Sequence, residues 1–212
     1  MRTEFILEAI AAVNEAVLNS EAELESLDRE IGDGDHFINL KRGCATLLAM
    51  REELAPLAPA DALQRIGMKL LSTIGGASGP LIATFFMTMA KVEKAGDISS
   101  LTEIAAAFHA SVEAIKQRGK ADAGEKTMLD TLIPVADTFS RLTAANAGPV
   151  QVFDALQQAA EQGMLSTKDM IATKGRAAFL GERAIGHIDP GARSSQIIIH
   201  TITELAKQHQ AA

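Results

Sequence analysis

Tryptophan and tyrosine are missing from the chain, and 8 phenylalanines are the only aromatics among its 212 residues. Such a surface has no platforms on which nucleic-acid bases stack. Positive charge is also in deficit: 20 Lys and Arg stand against 27 Asp and Glu, a formal net charge of −7. Nucleic acid wants a basic face, so that partner class is excluded. The lone cysteine, Cys44, cannot form an internal disulfide and fits a reducing cytosol. Leu47 and Leu48, one helical turn on, mark it as a small core residue rather than a catalytic thiol. Long apolar runs are absent as well. The longest, Pro80 to Met89, is interrupted by Thr84 and Thr88 and is too short for a bilayer. Glu4 and Glu8 stand where a secretory signal would be apolar. A soluble, cytoplasmic protein with no membrane partner is expected.

What is present favours helices. Proline is scarce, at 6, while alanine, leucine, glutamate and lysine are plentiful. The length suffices for one sizeable core. Ile6, Ile10, Val13, Val17, Leu24 and Leu27 fall on one helical face, so a first helix is predicted to run to about Leu27. A second is expected from His36 toward Glu53, a third over 60–73 and a fourth over 81–92. Ser100-Leu101-Thr102-Glu103 is a capping box that opens a fifth helix, ending near Gly119. Met128, Leu129, Leu132, Ala136 and Phe139 continue the period in a sixth. A seventh starts near Val152 and reaches toward Ile171, and an irregular stretch is predicted over 173–187. Asp189-Pro190 then has the form of an N-cap and first helical position, opening the last helix. The prediction is one all-α domain over residues 1–212, an eight-helix antiparallel up-and-down bundle or barrel with helices of roughly 12 to 25 residues. Glycine-bearing connections at 28–39, 75–80, 119–128 and 174–191 follow the first, third, fifth and seventh helices. In an up-and-down bundle alternate connections share an end, so all four should meet in one composite site.

The richest of these connections is Leu27-Asp28-Arg29-Glu30-Ile31-Gly32-Asp33-Gly34-Asp35-His36-Phe37-Ile38-Asn39. Glycines between aspartates let a short loop aim its carboxylates at one point. Carboxylate oxygens are the hard ligands of Mg²⁺ and Ca²⁺. A solvated acidic turn uses the same residues, since Asp and Gly are common turn formers. An EF-hand starting at Asp33 is excluded, because Phe37, Ile38 and Cys44 occupy its fifth, sixth and twelfth positions. Few carboxylates suit Mg²⁺, which takes its remaining ligands from water and substrate phosphates. Asp28 sits near a helix C-terminus, where the dipole opposes an anion and a compensating cation is needed.

Gly75-Gly76-Ala77-Ser78-Gly79-Pro80 precedes a helix, where free N–H groups make an anion site, although the same glycines also make an ordinary tight turn. No Lys-Ser or Lys-Thr follows, so it is not a Walker A loop. Ser78 lacks the strand of a nucleophile elbow. A di-iron bundle needs Glu three residues before His, and none of the 5 histidines has it. A Mg²⁺-phosphate site remains. Arg176 suits phosphate by its planar, permanently charged fork, although Lys174, Arg176 and Arg183 singly match an exposed basic loop.

Together, Asp28 to His36, Gly75 to Pro80, Arg118-Gly119-Lys120, Gly124-Glu125-Lys126-Thr127-Met128 and Gly181 to Gly191 resemble the nucleotide-binding L subunit of dihydroxyacetone kinase, in order and over nearly the whole chain. The resemblance implies an eight-helix antiparallel barrel with ADP or ATP at one end. Asp28, Asp33 and Asp35 would bind two Mg²⁺ ions bridging the phosphates. His36, Phe37, Ile38, Asn39, Ala77, Ser78, Gly119, Met128, Arg176, Asp189, Pro190 and Gly191 would line the nucleotide, with Arg176 also the catalytic group. The substrate, dihydroxyacetone or another small ketose or polyol, would sit on a separate K subunit. A detached subunit resembles the sugar-phosphotransferase branch, in which a phosphohistidine carrier, the M subunit, recharges the bound nucleotide. The alternatives are a subunit that exchanges ATP directly, a nucleotide-binding module that meets a transcriptional regulator, and a structural bundle with an acidic loop. One residue departs from the family: Phe37 stands where glycine is usual, and it is expected to resist φ > 0 and add bulk beside the phosphates.

Overall fold

The computed structural model describes residues 1–96 and 98–211. Ten α-helices appear among them: α1 (Thr3–Asn19), α2 (Glu21–Ile31), α3 (His36–Ala49), α4 (Arg51–Leu54), α5 (Pro59–Thr73), α6 (Ser78–Gly96), α7 (Leu101–Gly119), α8 (Leu129–Ala144), α9 (Pro149–Ser166) and α10 (Pro190–Ala211). No strand occurs among the described residues, and Ile197, Ile198 and Ile199 lie within α10. Helix α1 packs on α3, α3 on α5, and α5 through α10 each on the next; α10 returns to α1 and closes the ring. Eight long helices therefore form the barrel, with α2 prolonging α1 and α4 prolonging α3.

Side chains pointing inward fill the ring. Leu7, Leu47, Leu63, Ile66 and Met89 form one cluster, and Val112, Ile115, Val135, Val152 and Leu156 another. Phe85 touches both and meets Phe108 edge-on at 5.5 Å, while Phe108 tilts against Phe139 at 6.4 Å. Each fully buried aliphatic or aromatic side chain contributes about 1.5–3 kcal/mol. Cys44 is buried in a third cluster with Val17, Leu24 and Leu40, and burial pushes its thiol up to about 11. That agrees with a core role. The capping box of α7 forms as expected, with Ser100 and Glu103 bonding each other's backbone N–H.

Several boundaries differ from the sequence expectation, most of them where side chains turn back on the chain or proline fits a first turn. The first helix breaks at Ser20, whose hydroxyl bonds the Ala16 carbonyl at 2.9 Å and competes with the helical ladder. The second breaks at Met50 rather than running unbroken to Glu53. Helix α6 starts at Ser78, not Leu81, because Pro80 falls in a first turn whose N–H groups need no intrahelical partner. Helix α9 stops at Ser166 and gives way to a 3-10 turn at Thr167–Asp169, well short of Ile171. There the Ser166 and Thr167 hydroxyls bond back to Gly163 and Met164. The stretch expected to be irregular holds a 3-10 segment, Ala177–Ala184, kinked at Gly181. Ala177 and Ala184 pack with Ala172 on Ile31, which fastens this arm to α2.

Candidate functional site

The loop from α2 to α3 is built around Asp28. This residue lies in the last turn of α2 and is 4% exposed. Its Oδ2 accepts the His36 N–H at 2.9 Å, so the carboxylate caps α3 from outside that helix. The positive end of α3 thus offsets the unfavourable end of α2. Gly32 makes the approach possible: a Cβ there would stand 1.7 Å from Asp28 Oδ1. Gly34 turns the chain at φ +78°, and Asp33 and Asp35 on either side come back toward Asp28. One ligand oxygen from each of Asp28, Asp33 and Asp35 lies within 4.8 Å of the others. Asp33 and Asp35 are exposed, so the cluster is open on one side. Three hard oxygen donors with an open face fit Mg²⁺ and leave room for phosphate. The Arg176 Nε meets Asp33 Oδ2 at 2.7 Å, which brings the fourth glycine-bearing connection to the first.

His36 ties this loop to α10. Its Nε2 is 3.0 Å from Ser194 Oγ. Burial holds the imidazole below its ordinary pKa, with Asp28, Asp35 and the Pro190 carbonyl pulling the other way. Asn39, 6% exposed, faces the second connection: a Cβ on Gly75 would lie 3.2 Å from its Oδ1. Arg42 donates to the same Oδ1 at 3.2 Å. Gly119 lies against Leu81 near the start of α6, so the third connection shares this end too. Met128 abuts Gly191, whose Cβ would stand 3.5 Å from that of Met128. Asp189 is the N-cap of α10, its Oδ2 accepting the Ala192 N–H at 2.7 Å. Its carboxyl is pushed up to about 7, chiefly by burial, against the opposing effects of that N–H and the Lys126 charge. The four connections therefore meet at one end of the ring, and the N-termini of α3, α6 and α10 lie among them. Ile38, Ala77 and Arg176 are exposed there, and Ser78 and Pro190 open α6 and α10.

Phe37 differs from expectation. It adopts ordinary helical backbone in α3, so no positive φ is demanded of it. Its ring is 2% exposed and packs with Val17, Leu24, Leu40 and Ile197, with the Lys41 ammonium 5.5 Å from its centre. The bulk goes to the core, away from the open carboxylates.

Sequence reasoning gave no role to three buried polar residues. Asp130 accepts N–H groups from Gly124 at 2.5 Å and Thr127 at 2.8 Å. Lys126 is 1% exposed and donates to the Thr167 and His187 carbonyls. Thr167 Oγ1 accepts the Asp189 N–H at 3.0 Å. None of the three carries a periodic signal: Asp130 falls off the helical stripe of Leu129, Leu132 and Ala136, and Lys126 and Thr167 lie outside any stripe.

Comparison with known proteins places the chain in a family. The model of the DAK2 domain matches residues 30–204. The Escherichia coli (strain K12) PEP-dependent dihydroxyacetone kinase, ADP-binding subunit DhaL, is 39% identical over 91% of this chain and 92% of its own length. The Lactococcus lactis PTS-dependent dihydroxyacetone kinase, ADP-binding subunit DhaL, is 36% identical over 94% of this chain and 95% of its own. Among solved structures, the dihydroxyacetone kinase from C. freundii in complex with AMP-PNP and Mg²⁺ superposes with a TM-score of 0.73 at 24% identity. That match covers 93% of this chain and 33% of the solved one, so the chain spans a third of that protein and shares its fold.

Proposed function

The chain belongs to the DAK2-domain family, and on that premise we propose that it is the nucleotide-carrying subunit of a dihydroxyacetone kinase. With Mg²⁺ it would hold ATP and pass the γ-phosphoryl group to a hydroxyl of dihydroxyacetone, or a similar small ketose or polyol, held on a separate substrate subunit, leaving ADP in the site. A phosphohistidine carrier then restores the nucleotide, the phosphoryl group coming ultimately from phosphoenolpyruvate. The observation that carries this reading is the convergence of Asp28, Asp33 and Asp35 with Arg176 seated on Asp33. Support for the detached, carrier-fed type comes from the relatives that match this chain over nine tenths of both lengths.

Asp28, Asp33 and Asp35 would hold Mg²⁺, and Gly32 and His36 keep Asp28 aimed at the cluster. When bound, the metal neutralises phosphate charge. Phosphoryl transfer asks little more of the protein than positioning and charge stabilisation. Arg176 supplies the second cation: the guanidinium that pairs with Asp33 is placed to turn to a phosphate oxygen and carry charge developing on the transferred group. The N-terminal N–H groups of α3 and α6 offer further anion partners, among them those of Ala77 and Ser78. Met128, Gly119 and Asp189 to Gly191 would line the side that takes the base.

The test is reconstitution with a substrate subunit, a phosphohistidine carrier, phosphoenolpyruvate and dihydroxyacetone. Ketose phosphate should form with catalytic amounts of ADP, and Asp35→Asn should abolish it while weakening Mg²⁺-dependent ADP binding at least about tenfold, or 1.4 kcal/mol. Turnover on ATP alone, without carrier, would point instead to direct nucleotide exchange. Unchanged ADP affinity in Asp35→Asn would sink the metal assignment.

A further inference from the structure

We propose that Lys126 is a positioning residue for the nucleotide, setting the spacing between the Met128 turn and the Asp189–Gly191 turn; this rests on the functional reading above. Lys126 is 1% exposed and lies two residues before Met128, which abuts Gly191, while its amine goes to the Thr167 and His187 carbonyls. Its backbone takes the left-handed conformation at φ 60°, which L residues adopt only where surroundings impose it. Those surroundings are visible. Asp130 grips the turn on both sides, at the Gly124 and Thr127 N–H groups. Glu125 takes the Asp122 N–H at 2.7 Å and the Thr173 hydroxyl at 2.9 Å. The turn is thereby held in the shape that throws Lys126 inward.

Two carbonyls receive the amine, and they belong to different segments. One is Thr167, in the 3-10 turn after α9; the other is His187, at 2.5 Å, two residues before Asp189. The Thr167 hydroxyl accepts the Asp189 N–H in turn. One side chain therefore fastens the turn bearing Met128 to the strand of chain that opens α10. A buried amine is costly in an apolar wall, and burial lowers the Lys126 pKa against the raising effects of Asp189, Asp169 and Asp130. A methionine would pack there at less cost if filling space were the only need. Two N–H bonds to two separate segments specify the distance between them instead.

Lys126→Met keeps length and volume while deleting the donors. ADP with Mg²⁺, measured by calorimetry at a temperature where wild type and variant are both folded, should bind at least about tenfold more weakly. Mn²⁺ alone, followed by its electron paramagnetic resonance, should bind the Asp28, Asp33 and Asp35 cluster as in wild type. A residue that only stabilises the fold would lower the melting temperature and leave ADP affinity in the folded variant unmoved. ADP affinity within about twofold of wild type, or an equal loss of Mn²⁺ binding, would overturn the proposal. Lys126→Gln, whose shorter side chain cannot span to both carbonyls, covers the case in which Lys126→Met does not fold. It should weaken ADP about threefold or more with Mn²⁺ unaffected, and an unchanged affinity would overturn the proposal equally. A wild-type protein that binds no ADP removes the functional reading itself, and this inference with it.

Discussion

Gly32 and Gly34 stand two residues apart and do different work. At Gly32 the missing side chain is spatial, since a Cβ would collide with Asp28 Oδ1 at 1.7 Å and with its backbone oxygen at 2.8 Å. At Gly34 it is conformational, with φ +78° and no atom within 4 Å of the added carbon. Gly32→Ala should therefore evict Asp28 from the cluster and cost at least about tenfold in Mg²⁺-dependent ADP affinity. Gly34→Ala should cost about 1 kcal/mol of stability from backbone strain. Titration calorimetry and thermal melts on the two variants separate these effects, and equal ADP affinities would refute the spatial account of Gly32. Asp189 gives a pH signature at the same scale. Its carboxyl ionises near 3.8 when unfolded and is pushed up to about 7 when folded. Between those values the folded state binds more protons, so this group's contribution is complete below the lower value and is lost as pH rises through the upper one. Asp189→Asn, which can still cap α10, should gain on wild type from pH 5 to about 7 and no further above it. Melting curves with a constant difference over that range would contradict the burial of this carboxyl.

Outside the regular helices, the 3-10 segment Ala177–Ala184 forms an arm of its own. It presents Arg176 to Asp33 and is fastened by small side chains, Ala172, Ala177 and Ala184, on Ile31. Nothing in its sequence has a helical or strand period, so its shape comes from those contacts and from Gly175 and Gly181 at positive φ. Arg176→Lys keeps the charge but loses the planar fork. Partner-coupled turnover should drop at least about tenfold, while ADP affinity changes less. Wild-type turnover in that variant would make Arg176 a solvated loop residue paired with Asp33. Elements with a strong local signal came out as expected. Ser100 and Glu103 cap α7, Asp189 caps α10, and the apolar stripes of α8 and α9 face the core. The misjudged boundaries lie where Ser20, Ser166 and Thr167 hydroxyls turn back on the chain or where Pro80 fits a first turn.

At the scale of the whole molecule, α10 closes the ring on α1, with His209 paired to Glu8 of α1 and Arg193 to Glu23 of α2. Segments far apart in the chain reach the site end only through the closed ring. A ligand gripping Asp28, Met128 and Asp189 together binds the folded state alone. ADP with Mg²⁺ at a hundredfold excess over its dissociation constant should add about 2.7 kcal/mol, raising the melting temperature by roughly 5 to 10 °C. EDTA should reverse most of that shift. With no tryptophan and no tyrosine, retained nucleotide should also show as an adenine band over weak phenylalanine absorbance. A melting temperature indifferent to ADP and Mg²⁺ would count against the nucleotide assignment.

The helical class, the caps, the glycine-bearing connections and the three aspartates were all present in the sequence, because periodicity and turn chemistry act over a few residues. The common end of the four connections followed as well, since an up-and-down order places alternate connections together. The tertiary structure alone decided what depends on distant neighbours. Phe37 enters the core because α1 and α10 leave room for it beside Val17 and Ile197. Arg176 reaches Asp33 because the arm rests on Ile31. Lys126 is drawn inward to Thr167 and His187, 41 and 61 residues along the chain. Contacts of that separation are fixed by ring closure and packing, which no local pattern of residues encodes.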